Sequence, residues 1–241
     1  MPRGPQLHDK KGELLTGLTM ALDGSTYAGS VALLRDRGVI AERTLVDSGI
    51  PSKGGREERM LPLVAECLNE CGATVAQLAR VVCGAGPGSF TSLRIAASVA
   101  KGLAVGGGCP LFAVSSLMLT VAGLQSRPVP GRYLSVLTAM RGEWFAAEAG
   151  VNEDGIIGQL SPAVIVTDAG LREAASSGAM VIGPGQAIDA RPHVRGVARL
   201  LDAIVAAGPQ DVQTWEPDYG RMAEAQVRWE ATHGRALTAN G

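Results

Sequence analysis

An α/β fold made of two consecutive βββαβα units is what this sequence of 241 residues predicts. Three observations carry that expectation. Short apolar runs, several of them β-branched, alternate with longer segments of helical periodicity. The same order of elements recurs in the second half. In each half a glycine-proline-glycine triplet follows the fourth strand, Gly86-Pro87-Gly88 and then Gly183-Pro184-Gly185. A repeat of about a hundred residues is too long for a solenoid and fits two fused domains.

The elements follow in order. Leu18 to Asp23 reads as a strand, Gly24-Ser25-Thr26 as its turn, Ser30 to Leu34 as the next strand and Val39 to Val46 as the third. The loop Ser48 to Gly55 is rich in Gly, Ser and Pro. A helix over Glu57 to Cys71 presents Met60, Leu61, Val64, Cys67, Leu68 and Cys71 on one face, and Gly72 ends it. Leu78 to Cys83 is a buried strand, Thr91 to Val105 a second helix, and Pro110 to Val114 a further strand. In the second half, Tyr133 to Thr138 and Glu143 to Ala149 form a hairpin. Ile156 to Leu160 or Val164 to Val166 supplies the third strand. A helix at Ala169 to Ser176, a strand at Ala179 to Ile182 and a helix at Val194 to Ala207 complete the unit, and Pro217 to Glu230 adds a terminal helix.

Composition narrows the function. Charge is balanced, 22 basic against 23 acidic residues, which gives no electrostatic grip on nucleic acid by the chain alone. Four cysteines, none in a C-x-x-C pair, argue against a disulfide framework or zinc knuckle. Cys67 and Cys71 read as small core hydrophobes. Only three histidines occur, His8, His193 and His233, far apart in sequence, so a histidine metal site or catalytic triad is not expected. The run Leu14 to Leu22 is too short and too interrupted for a signal or membrane segment. A cytoplasmic protein with a short leader and no membrane association is expected.

Two stretches carry candidate chemistry. Asp23, Gly24, Ser25 and Thr26 put a carboxylate and hydroxyls at a strand end, suited to weak binding of Mg²⁺ and nucleotide phosphates or to ordinary turn chemistry. Gly86, Pro87, Gly88 and Ser89 lead into a helix, suited to a phosphate loop or to a tightly packed strand-to-helix turn. The corresponding hairpin of the second half ends in Thr138, so a two-hairpin clamp on ATP is half-built. On the helix Thr91 to Val105, Leu93, Ala96, Ala97, Ala100 and Leu103 form one apolar face. Ile95, Val99 and Gly102 form another, and Arg94, Ser98 and Lys101 make a polar stripe between them. A helix apolar on two faces is buried on two sides, by its own sheet and by a second body.

The run Met20-Ala21-Leu22-Asp23-Gly24-Ser25-Thr26 resembles the opening of the TsaB (YeaZ) family. Met60-Leu61-Pro62-Leu63, Gly86 through Ile95, Ala100 through Ala104, Val114-Ser115-Ser116-Leu117, Arg141-Gly142-Glu143 and Pro217 to Ala225 are similar as well. The resemblance implies the duplicated ribonuclease-H-like fold of actin, Hsp70 and sugar kinases. Residues 17–115 and 116–214 would form the two domains, 1–16 a disordered leader, and 215–241 a helix and tail packing back on the body. It further implies a non-catalytic partner of a TsaD-type transferase, which places threonylcarbamoyl on adenosine 37 of tRNAs reading ANN codons. A TsaE-type ATPase would join that complex, and tRNA would be met only through it.

No cofactor of its own is expected, with ATP or ADP allowed at the subunit junction, and no metal. The catalytic relatives carry an H-x-x-x-H helix motif, and the matching helix here, Arg56-Glu57-Glu58-Arg59-Met60, has no histidine. The expected partner face comprises Arg56, Glu58, Met60, Leu61, Val64, Leu68, Leu93, Arg94, Ala97, Ala100 and Lys101, and a homodimer is open when the partner is absent. The chain departs from the family at Arg56-Glu57-Glu58, where members often show His-Ser-Glu, and at Thr138-Ala139-Met140, where many show Asp-Ala-Arg. The alternative is an autonomous ATP-binding enzyme of the actin and sugar-kinase type. A glycoprotease, an old label on relatives, is opposed by the lack of H-E-x-x-H and of any histidine near Ser89 or Ser98.

Overall fold

The computed structural model describes residues 16–45, 59–139 and 142–220. Residues 1–15 of the leader, the loop Ser48 to Gly55, Arg56, Glu58, Met140, Arg141 and everything past Gly220 lie outside the described residues.

The first sheet has the order β3-β2-β1-β4-β5. Its strands are β1 (Leu18–Asp23), β2 (Ser30–Arg35), β3 (Gly38–Thr44), β4 (Leu78–Gly84) and β5 (Leu111–Val114). β1 to β3 run antiparallel through two hairpins, and β4 and β5 join parallel to β1. Parallel pairing requires crossovers, which α1 (Met60–Glu70) and α2 (Phe90–Gly107) supply. β4 is covered on both faces, which explains why it reads as an almost unbroken apolar run.

The second sheet repeats the plan in the order β11-β10-β6-β7-β8. It holds β6 (Gly131–Thr138), β7 (Glu143–Val151), β8 (Ile157–Gln159), β9 (Val164–Thr167), β10 (Met180–Gly183) and β11 (Ile188–Asp189), with α4 (Asp168–Ser176) and α5 (Val197–Ala207). Both candidates for its third strand are used. β8 pairs with the end of β7 and β9 with its beginning. Pro162 between them has no N–H for a ladder, and the main-chain N–H of Glu148 donates to Ser161 Oγ there instead.

Side-chain alternation stacks these elements into layers. Met20 and Leu22 of β1 point to α1 and α2, in one core with Leu33, Leu63, Val64, Cys67, Leu103 and Leu111. Ala21, Ala32 and Val82 point the other way, into a core shared with Tyr133, Ala149 and Ile182 of the second sheet. Filling that central layer are α5 and a helix the sequence reading lacks, α3 (Ser116–Ala122). α4 covers Leu134, Val136 and Val181 on the far face. The two halves thus close on one another through α3 and α5. Cys67 is fully buried and its thiol is pushed up to about 11 by that burial, so it behaves as a core hydrophobe.

Two further readings need correction. The last helix of the second unit begins at Val197, because Val194–Gly196 form a 3₁₀ turn. No helix starts at Pro217, since Pro217 to Gly220 are irregular. That segment is held by the Asp218 N–H on Ala85 O at 2.8 Å, by the Asp218 carboxylate on the Gly220 N–H at 2.8 Å, and by the Tyr219 ring on Phe90. Asp218 is therefore part of a strap over the Gly86-Pro87 turn and not of the terminal helix. Among the described residues no helix is long and apolar enough to cross a membrane.

Candidate functional site

β1 delivers Asp23 to the junction of the two halves, where the carboxylate is completely buried. Its Oδ1 accepts the Ser25 hydroxyl at 2.6 Å and the Ser25 N–H at 3.0 Å, and its Oδ2 accepts the Ser116 hydroxyl at 2.5 Å. Ser116 opens α3, and its Oγ in turn accepts the Gly86 N–H at 3.1 Å. One carboxyl group thus ties the first hairpin, the glycine loop and the helix that leads to the second half. Burial raises its pKa above the usual 3.8, opposed by the hydrogen bonds from Ser116 and Ser25. Thr26 is half-buried, and its Oγ1 has no hydrogen-bond partner among the described residues.

That shift predicts a pH dependence. The folded state holds the Asp23 proton more tightly than the unfolded chain, so ionising the group costs stability. The cost is absent below the ordinary carboxylate range, grows as pH rises toward the raised native value, and is constant above it. Asp23→Asn keeps an oxygen acceptor and removes the ionisation. Over that window its stability relative to the parent is expected to climb with pH, read as urea midpoints from pH 4 to 8. A pH-independent difference would show that Asp23 ionises as freely folded as unfolded.

The loop Gly86 to Ser89 uses its Gly86 and Ser89 N–H groups within the protein. The Ala85 N–H donates to Val114 O, the Gly86 N–H to Ser116 Oγ, and the Ser89 N–H to Ser25 O at 2.8 Å. The peptide Gly86-Pro87 is cis. Side chains are missing here for steric reasons. A Cβ on Gly88 would lie 2.2 Å from Ser25 O, and one on Gly24 2.4 Å from Ser92 O. These contacts account for the glycines as the joinery of a strand-to-helix turn. The structure brings Asp23 to Thr26 and Gly86 to Ser89 together, as a knot around Ser116.

The helical face divides differently from the expected list. Met60, Val64, Leu68, Leu93, Ala97 and Ala100 are 0–7% exposed and belong to the interior of this chain. They cannot present surface to a partner, because the sheet beneath uses that side of α1 and α2. What faces outward is Leu61 (51% exposed), Pro62 and Ala65 on α1, with Arg94, Ser98, Gly102 and Val105 (71% exposed) on α2. Ile95, Val99 and Lys101 lie half-buried beside them. Sequence periodicity found both faces of α2 but assigned the wrong one outward. The signal that separates them is glycine: Gly102 and Gly106 lie on the open side, with nothing within 4 Å of an added Cβ. Arg94 stacks its guanidinium over Phe90, 5.4 Å from the ring centroid.

Two halves of matched topology, joined through α3 and α5, define a duplicated ribonuclease-H-like protein of the actin, Hsp70 and sugar-kinase class. Residues 50–165 match the family model described as TsaD, tRNA N6-adenosine threonylcarbamoyltransferase. The chain is 36% identical over 137 residues to the Escherichia coli tRNA threonylcarbamoyladenosine biosynthesis protein TsaB, a stretch that spans 57% of each chain. It is 28% identical over 229 residues to the Bacillus subtilis protein of the same name, spanning 87% of this chain and 96% of that one. A crystal structure from Pseudomonas aeruginosa, of an uncharacterized protein with similarity to peptidase YEAZ, superposes with a TM-score of 0.67 at 25% identity. It covers 86% of this chain and is itself covered completely. The chain is thus similar to TsaB (YeaZ) proteins over most of its length.

Proposed function

We propose that this chain is a non-catalytic scaffold and activator in the formation of N6-threonylcarbamoyladenosine at position 37 of ANN-decoding tRNAs. In this reading it dimerises in the cytoplasm with a TsaD-type transferase subunit and helps recruit a TsaE-type ATPase. The observation that carries it is the outward side of α1 and α2. There Ile95, Val99 and Val105 lie along α2 with Gly102 and Gly106, and Leu61 is exposed on α1, apolar and small residues suited to close helix-on-helix packing. The family relation to the transferase gives such a pairing a natural form, in which like packs on like.

The rival, an autonomous ATP-dependent enzyme, needs Asp23 to meet a phosphate-bound cation. Here both carboxylate oxygens already accept protein donors in a fully buried site, and opening it would break the ties to Ser25 and Ser116. A reconstituted tRNA-modification assay decides between them. Omitting the chain is expected to abolish product, and restoring it to recover product in proportion to the amount added. Full activity without it would overturn the scaffold reading.

A further inference from the structure

A cavity of about 340 Å³ opens where the two halves meet beside the β2–β3 hairpin. Thr44 at the end of β3, Gly123 and Gln125 just past α3, and Arg191, His193 and Arg195 ahead of α5 line it. Neither Asp23 to Thr26 nor Gly86 to Ser89 contributes to its walls, so it is distinct from the buried carboxylate knot.

Its charges are unevenly settled. Arg195 pairs with Glu42 at 2.9 Å, and its main-chain N–H donates to His193 Nδ1 at 3.1 Å. The Asp189 carboxylate, also in the wall, accepts the Gly185 N–H at 2.9 Å. Arg191 is exposed and has no ion-pair or side-chain hydrogen-bond partner among the described residues. Behind the Gln125 wall, Arg199 donates to the carbonyls of Ala122 and Leu124. The ionisation of Arg199 is disfavoured by burial first and then by the like charges of Arg195 and Arg127. Glu42 offsets Arg195 and the Asp189 carboxylate stands in the same wall, which leaves Arg191 as the wall cation without an ion pair among the described residues. Its guanidinium fork matches a phosphate in geometry.

We propose that this cavity binds a small phosphomonoester of about mononucleotide size, with Arg191 gripping the phosphate and Arg195 supporting it. The volume lies at the lower end of small-molecule sites, roughly 300–1,000 Å³. Walls drawn from both halves form a local concavity and not the long track that a nucleic-acid backbone follows. This site stands independently of the scaffold reading.

The test is thermal unfolding of the full chain at fixed ionic strength, with AMP, ribose 5-phosphate, sodium sulfate and a short RNA hairpin added separately. AMP or ribose 5-phosphate is expected to raise Tm in a saturable way, since a ligand bound only by the folded state stabilises it, while sulfate at equal ionic strength does not. Arg191→Gln should weaken that binding by about tenfold or more, and Arg191→Lys by less, because one charge without the fork retains part of the contact. Arg191 is exposed, so both variants should unfold like the parent without ligand. No ligand shift in the parent, or an equal shift in Arg191→Gln, overturns the proposal. A shift produced only by a short RNA hairpin overturns it in favour of a nucleic-acid contact.

Discussion

Gly84→Ala is expected to be among the most destabilising single substitutions in this chain. The new Cβ would lie 1.9 Å from Asp23 Oδ2 and 2.8 Å from its Cγ. A flexible exposed carboxylate would simply turn aside, but this one is held by three hydrogen bonds and has no exposed surface. Moving it strands the Ser116 hydroxyl and loosens the Gly86 N–H that Ser116 receives. Overpacking costs about 1–3 kcal/mol, and a lost buried hydrogen bond to a charged group about 1.5–3 kcal/mol. The sum, roughly 2.5–6 kcal/mol, is a large part of the 5–15 kcal/mol that holds a typical domain folded. Urea unfolding of the purified variant measures it, and a midpoint within error of the parent would show that the Asp23 knot yields cheaply. Gly72→Ala is a suitable contrast: it lies at a helix end with nothing within 4 Å, and its cost comes only from its positive φ of 60°.

The scaffold of the fold was legible because its strands alternate cleanly and its turns carry glycine. β1 was read residue for residue, Leu18–Asp23, and the ends of most other elements fell within a residue or two. α3 was missed for a definite reason. All seven of its residues are buried, so Ser116 to Ala122 shows no polar face from which a helical period could be read. The strap at Pro217 to Gly220 differs from the expected helix because local helical periodicity says nothing of the tertiary bond from the Asp218 N–H to Ala85 O that wins there. The candidate site was legible in part. Asp23 and the glycine loop were marked as belonging to special chemistry, but the residue that joins them, Ser116, is 93 positions from Asp23 and stood out only within the Val114-Ser115-Ser116-Leu117 resemblance, with no site role attached. On α2, hydrophobicity alone made the small, buried Ala97 and Ala100 look as available as Gly102. Depth distinguishes them, and depth is a property of the sheet beneath.

That distinction changes which substitutions can probe the partner surface. A charge at Ala97 or Ala100 would enter this chain's own core, so loss of a complex would report only unfolding. Gly102 sits mid-helix on the open side, and two variants there should separate folding from binding. Gly102→Ala is expected to stabilise the isolated chain by about 0.5–1 kcal/mol, because glycine is a poor helix former and the methyl group meets nothing. Gly102→Leu should also fold, its side chain projecting into open space. Against a closely packed helix of a TsaD-type partner, however, the added side chain must force the two axes apart, from a spacing of about 8–10 Å. An overpacking cost of about 1–3 kcal/mol corresponds to roughly 5- to 150-fold weaker association. Calorimetric titration of the partner into parent, Gly102→Ala and Gly102→Leu would read the series, with thermal unfolding of each chain alone as the control. If Gly102→Leu folds and binds as tightly as the parent, the partner does not lie on this face of α2. The assignment would then pass to the Leu61 side of α1, where Leu61→Glu is the corresponding test.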